Sequence, residues 1–282
     1  MASGARRRAS ARPAAKRRTA AQRRNAARRR RAARAAGIGV ALIPFVIVIA
    51  LAVHFAGSVS AEAPAEPAQA AAPVPPVTLL APDEPAGDDT QAAEEPGRAD
   101  PAWLDTVAER TGIPARALAA YAGAELELAA DQPGCGIAWN TLAAIGSIES
   151  GHGSHGGATL QRDGWVSPRI LGPRLDGDGV AAIRDTDGGE WDGDDRWDRA
   201  VGPMQFIPET WGYWGADGNA DGIRDPSQLD DAALGAARYL CDSGSMEGTD
   251  AWRSAVFRYN QLTQYVDDVA RVATEYADRA AS

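Results

Sequence analysis

Residues 138–149 read AWNTLAAIGSIE, and Ser150, Gly151 and Gly153 follow at once. Wound as an α-helix, Ala138, Leu142, Ile145 and Glu149 fall at i, i+4, i+7 and i+11, all on one face. An apolar stripe therefore ends in a carboxyl group at the C-terminus of its helix. Burial disfavours the charged form of that group, and so does the negative end of the helix dipole. Both effects raise its pKa. A carboxylic acid that stays protonated near neutral pH can protonate a departing glycosidic oxygen. Glu149 is thus a candidate general acid, although the same position also suits a plain helix-boundary residue.

Outward from this helix the pattern stays helical. Leu118, Ala122 and Leu126 recur at i, i+4 with Tyr121 and Leu128 beside them, and Leu229, Ala233, Ala237 and Leu240 do the same. Leu262, Tyr265, Val266, Val269, Val272, Ala273 and Tyr276 form a further stripe. No stretch alternates convincingly with period two, so residues 101–282 are expected to form one mostly helical domain. A Gly- and Asp-rich region at about 150–200 interrupts the helices, and irregular loops of that length in compact domains are usually functional.

The 282-residue chain carries 29 Lys and Arg against 38 Asp and Glu, but the charges are segregated. Residues 1–36 hold 13 Arg and Lys16 with no acid, and residues 37–60 hold no charge at all. The remainder is strongly acidic. Gly37–Gly57, GIGVALIPFVIVIALAVHFAG, spans about 31 Å as a helix, close to a hydrocarbon core of about 30 Å. It reads as a single transmembrane helix that keeps the Arg-rich tail cytoplasmic and places everything after residue 57 outside. A cleaved signal peptide ending near Ser60, Ala61 or Ala63 is the rival reading, with the same sidedness for the rest. The Arg run lacks interleaved aromatics and abuts the span, so anionic lipid headgroups are its expected partner rather than nucleic acid. Residues 58–100 form an Ala-, Pro- and acid-rich linker with eight prolines between 64 and 96.

Cys135 and Cys241 are the only thiols. An oxidising compartment permits one disulfide between them, and two separate buried thiols are the alternative. Two Cys exclude a four-Cys zinc site. His152 and His155 lie just after Glu149 but lack an assignable third ligand, so they read as cleft-lining residues. Asp217, Asn219 and Asp221, followed by Gly222, match the start of an EF-hand loop, with the Ile223 carbonyl at position 7. Position 12 is Gln228 instead of the bidentate Glu. A calcium site and an ion-free Asp-Asn-Gly turn both remain open on this pattern. The acidic run Asp185–Asp198 shows no ordered ligand pattern and reads as cleft lining or solvated surface.

Four segments, IGSIESGHG (145–153), AVGPMQFIPETW (200–211), DGIRDPSQLDDAALGAARYLC (221–241) and AVFRYNQLTQYVDDV (255–269), occur in this order. Together they resemble the lytic murein transglycosylases, in particular the membrane-bound lytic transglycosylase B-like group in its actinobacterial form. PGCGIAW (133–139) and RDTDGGEWDGDDRWDRAVGPMQF (184–206) fit the same form. The resemblance covers about residues 101–279.

It implies a lysozyme-like, all-α domain with a sugar cleft, acting on peptidoglycan glycan strands without a required cofactor. It implies Glu149 as sole acid/base, which protonates the oxygen between N-acetylmuramic acid and N-acetylglucosamine and leaves a 1,6-anhydromuramoyl end. Ser150 follows as in the family's Glu-Ser pair. Gly202 is expected to let backbone approach the sugar, Met204 to give a soft apolar contact, and Gln205 to hydrogen-bond sugar substituents. Tyr259 is expected to face the acid, with Asn260 helping to hold the site. Some relatives close a longer calcium loop with an Asp at position 15, which here is Asp231. A hydrolytic muramidase on the same fold and a non-catalytic peptidoglycan-binding module are the alternatives, and partners among cell-wall synthesis proteins are not identified by these residues.

Overall fold

The computed structural model describes residues 99–282. The basic tail, the apolar span and the linker up to residue 98 lie outside the described residues. Among the described residues no helix is long and apolar enough to cross a membrane.

Seven helices carry the domain: α1 Pro101–Thr111, α2 Ala115–Asp131, α3 Trp139–Ser150, α4 Pro208–Trp214, α5 Leu229–Cys241, α6 Thr249–Tyr259 and α7 Thr263–Ala281. Local sequence sets their ends. Asp100 caps α1 by accepting the Trp103 amide at 2.9 Å, Pro101 opens it, and Gly112 closes it in the left-handed region. The Gln228 side chain caps α5 by accepting the Asp231 amide at 3.0 Å. Gly151, at φ 57°, ends α3, and its N–H returns to Ser147.

The core follows the three stripes. α2 packs on α5, and α3 packs on α7. Small residues line the first contact: Ala117, Ala120 and Ala124 from α2, and Ala232, Ala233, Ala236 and Ala237 from α5, all buried. Their size lets the two backbones approach closely. The second contact buries Leu142 and Ile145 with Val266, Val269, Ala270 and Ala273. At about 25 cal/mol per Å² of apolar surface, these interfaces are the main favourable term of the fold.

Helix α3 is held from several directions. The Glu125 carboxylate on α2 accepts the Trp139 amide at 2.5 Å, which serves the positive N-terminus of α3. Asn140 donates to the Ala273 carbonyl at 3.0 Å, and Trp252 Nε1 donates to Thr141 Oγ1 at 3.1 Å. These bonds tie α3 to α7 and α6 respectively.

The expected all-α domain needs one amendment. Residues 151–207 form an arm with two small antiparallel sheets, β1 Thr159–Leu160 with β2 Val166–Ser167 and β3 Leu171–Arg174 with β4 Arg199–Val201. Strands of two to four residues are too short to show period-two alternation, so the sequence pattern conceals them. The acidic run in this arm is structural. Asp185 Oδ1 accepts the amides of Asp187, Gly188 and Gly189, and the fully buried Asp198 accepts the Thr186 amide and hydroxyl at 2.9 and 2.6 Å. Carboxylates here replace a regular ladder in satisfying loop amides.

Cys135 and Cys241 form a disulfide across a sequence separation of 106, with 5.5 Å between Cα atoms. It joins the segment after α2 to the end of α5, so it closes the most intimate helix pair. A loop of this length corresponds to about 4–5 kcal/mol in the chain-entropy description, as an upper figure. Reduction of the purified domain should therefore lower its unfolding free energy by up to this amount and its denaturant midpoint accordingly. Chemical denaturation with and without reductant measures it, and unchanged midpoints would refute the role of this bond.

Candidate active site

Glu149 lies in the last turn of α3 and is 9% exposed. Its Oε1 accepts a hydrogen bond from the Tyr265 hydroxyl of α7 at 2.7 Å. Burial raises its pKa to about 7, and the Tyr265 bond, which favours the charged form, opposes the rise. Among the described residues no second carboxylate contributes to this shift. The group is poised to change protonation near neutral pH, which suits donation and recovery of one proton.

Tyrosines surround it. Tyr259, at the end of α6, donates to the Met204 carbonyl at 2.7 Å. The expectation that Tyr259 faces the acid meets a different arrangement, because Tyr265 makes the direct bond and Tyr259 braces the loop before α4. Tyr259 is still near enough that the Glu149 charge raises its pKa, after burial, and the same two causes act on Tyr265. Tyr265 escapes the sequence reading because it sits in an apolar stripe. Its hydroxyl on that stripe is the one available signal, since a buried Tyr usually needs a partner.

The remaining expected residues converge, but several play parts that differ from expectation. Ser150 Oγ donates to the Pro203 carbonyl at 2.7 Å and accepts the Gly153 amide at 2.8 Å, so it ties the end of α3 to the arm. Gly202 is at φ 80°, and a Cβ there would overlap the Pro226 carbonyl. Its lack of a side chain accommodates this protein backbone and leaves no room for a sugar at that atom. Met204 is fully buried in the main core, and its carbonyl rather than its thioether serves the site. Gln205 is 7% exposed at φ 49°, and its Nε2 donates to the Gly202 carbonyl at 2.8 Å. Asn260 is buried, and its Oδ1 lacks a hydrogen-bond partner among the described residues. A buried acceptor in this state is costly unless something else occupies it.

His152 is no surface residue. Its Nδ1 and Nε2 each lie 3.1 Å from a tyrosine hydroxyl, of Tyr121 and Tyr276, and burial lowers its pKa to about 4. Both ring nitrogens are occupied, which excludes metal ligation in this state. His155 is exposed in a single 3-10 turn, His155–Gly157. Gly146 is required by the same network, because a Cβ there would overlap the Tyr121 hydroxyl.

Two sets of oxygens bear on metals. In the 217–231 loop, Asp217 accepts the amides of Asp221 and Gly222, Asn219 accepts that of Asp221, and Asp221 accepts that of Ile223. Asp231 is buried and accepts the amides of Gly218 and Asp225 at 2.7 and 2.9 Å. Burial raises its pKa to about 6, with the Asp217 charge adding to the rise. Gln228 caps α5, so position 12 is withdrawn from any ion. Separately, single oxygens of Asp185, Asp187 and Asp198 gather within 4.8 Å of one another. The Asp187 carboxylate accepts the amides of Gly189 and Trp191 at 3.1 and 2.7 Å, so all three carboxylates serve loop amides.

Residues 181–277 match the family model of the transglycosylase SLT domain. The match spans about a third of the chain and includes Met204, Gln205, Tyr259, Asn260 and Tyr265, while Glu149 precedes it. It marks the chain as an enzyme, a peptidoglycan lytic transglycosylase. No curated protein and no solved structure matches the chain.

The raised pKa has a stability consequence with a definite sign. The folded state holds the Glu149 proton up to about pH 7, against an ordinary value of 4.5. The stability this contributes is present in full below about pH 4.5 and is lost as pH rises through about 7. E149Q escapes that loss and should gain on the wild type by up to roughly 3 kcal/mol between those limits. Denaturation midpoints of both proteins at pH 4 and pH 8.5 measure the difference, and parallel curves would show that Glu149 titrates normally. Y265F removes the bond that favours the carboxylate, so it should move the Glu149 titration to higher pH.

Proposed function

We propose that this enzyme is an extracytoplasmic, membrane-anchored lytic transglycosylase of the B-like group, with a lysozyme-like catalytic domain. It cleaves the β-1,4 bond between N-acetylmuramic acid and N-acetylglucosamine and closes a 1,6-anhydromuramoyl ring, in remodelling of the cell wall. The observation that carries this reading is one buried carboxyl group near its midpoint at neutral pH, with no neighbouring carboxylate shifting it. Tyr265 occupies Oε1, which leaves Oε2 to carry the proton.

In the first half-reaction Glu149 gives its proton to the glycosidic oxygen as the C1–O bond breaks. In the second, the carboxylate recovers a proton from the muramoyl 6-hydroxyl while that oxygen bonds to C1. Atoms balance without water, so a second carboxylate to activate water has no task. Gln205 serves the substrate, and Asn260, whose Oδ1 is sealed from solvent, helps to hold the site. Ser150, Gly202, Met204 and Tyr259 hold the Glu149 turn against the 202–206 loop. The anchor is Gly37–Gly57, with the basic tail in the cytoplasm, by the charge asymmetry across that run.

Digestion of purified sacculi followed by mass spectrometry tests the reaction. Ends lighter than reducing ends by one water are the expected product, and reducing ends alone would establish hydrolysis. E149Q should lower the rate by about 10²- to 10⁴-fold, the usual yield of general acid–base catalysis. Unchanged release would remove Glu149 from the mechanism.

We further propose that the 217–231 loop takes a structural calcium ion through Asp217, Asn219, Asp221, the Ile223 carbonyl and Asp231. The support is an all-oxygen donor set in loop order and a buried Asp231 whose ionisation the Asp217 charge opposes, a repulsion that a cation relieves. Calcium should raise the melting temperature of chelator-treated protein, and D231N should abolish the increase. Equal melting temperatures with calcium and with chelator would leave the loop as a turn without an ion.

A further inference from the structure

The arm holds a cavity of about 380 Å³ that does not include Glu149 in its lining. Arg174, Asp192, Asp194, Asp195, Arg196 and Arg199 surround it, with Leu171 as its apolar edge. Asp194 is 8% exposed and organises the others. One carboxyl oxygen accepts from Arg174 Nε at 2.6 Å and lies 3.8 Å from Arg199 Nε. The other accepts the amides of Arg196 and Trp197 at 3.1 and 3.3 Å. Arg199 is fixed further by donation to the Gly172 carbonyl at 3.2 Å. Two guanidinium groups therefore stand in set positions around a single shared carboxylate.

The next two side chains are different. Asp195 and Arg196 are exposed, and neither side chain has an ion-pair or hydrogen-bond partner among the described residues. Adjacent in sequence, they present one free anion and one free cation to the same cavity. A simple anion would be repelled by Asp195 and Asp192, and a simple cation by the three arginines. A ligand bearing both a carboxylate and an ammonium group satisfies both.

We propose that this cavity is a subsite for the zwitterionic amino-acid head of a stem peptide, the carboxylate meeting Arg196 and the fixed arginines and the ammonium meeting Asp195. The inference rests on the peptidoglycan reading above. Geometry supports it. From Arg199 the chain runs through β4 to Pro203, whose carbonyl accepts from Ser150 beside Glu149. Only Arg199–Val201 of this stretch is strand, and Gly202 and Pro203 lie in a turn, so the four-residue length sets an upper limit of about 13 Å. A stem of three to five residues, hanging from the muramoyl ring at the acid, reaches about 10–18 Å. A sugar held at Glu149 thus brings its peptide to this cavity, and the site reads the stem while the cleft reads the glycan.

The test uses the full chain with R196A and D195A, whose exposed side chains leave the core intact. Two substrates are compared: peptide-bearing glycan, and the same glycan stripped of stems by an amidase. Wild type should prefer the peptide-bearing form by about tenfold or more in kcat/KM, the yield expected from charge-assisted hydrogen bonds. Each substitution should remove most of that preference. No preference in the wild type, or an equal slowing on both substrates, would overturn the proposal. Titration of a free stem tetrapeptide containing a diamino acid, followed by NMR on E149Q, reads the subsite without turnover. Shifts at the arm that R196A abolishes support the proposal even if the anhydro product fails to appear, and no shifts at the arm refute it.

Discussion

The Tyr265 hydroxyl on Glu149 joins the two longest-range demands of the molecule. The acid must be buried enough to keep a proton near pH 7, yet its carboxylate must be tolerated once the proton leaves. Burial alone would drive the pKa higher and strand the charge. One hydrogen bond at 2.7 Å from the facing helix offsets part of that cost. It exists only while α3 and α7 keep their relative position, so the α3–α7 packing is part of the chemistry.

Much of the rest of the fold serves to hold α3 still. Glu125 meets its N-terminus, Asn140 and Thr141 tie it sideways, and Ser150 fastens its end to Pro203. Tyr121, His152 and Tyr276 grip the turn that follows. Positioning of this kind matters because a displacement of about 1 Å can cost on the order of a hundredfold in rate. The residues first expected to touch sugar are largely spent on this scaffold. Gly202 makes room for Pro226, Met204 fills the core, and Tyr259 braces Met204 from behind.

The arm obeys a different economy. It has few apolar residues and little regular ladder, so its aspartates satisfy loop amides one by one. That use of carboxylates explains why the run from Asp185 to Asp198 gave no ligand order in the sequence. It also leaves fixed arginines and two unpaired charges around a cavity, which is how a loop-rich segment can acquire selectivity while the helices supply the catalytic group.

The sequence by itself determined the helical stripes, the position of Glu149 at the end of one of them, and that only one disulfide is possible, between Cys135 and Cys241. Each is a local or counting property: period 3.6, a carboxyl in register with apolar neighbours, an even number of thiols. Tertiary structure alone decided which tyrosine meets the acid, because Tyr259 and Tyr265 are six residues apart on different helices and only the crossing of α7 over α3 selects Tyr265. It also decided that Met204 is core, that His152 is sealed between two hydroxyls, and that Asp194 gathers the guanidinium groups of Arg174 and Arg199. Those outcomes depend on contacts between residues distant in the chain, and no periodicity encodes the angle at which two helices meet.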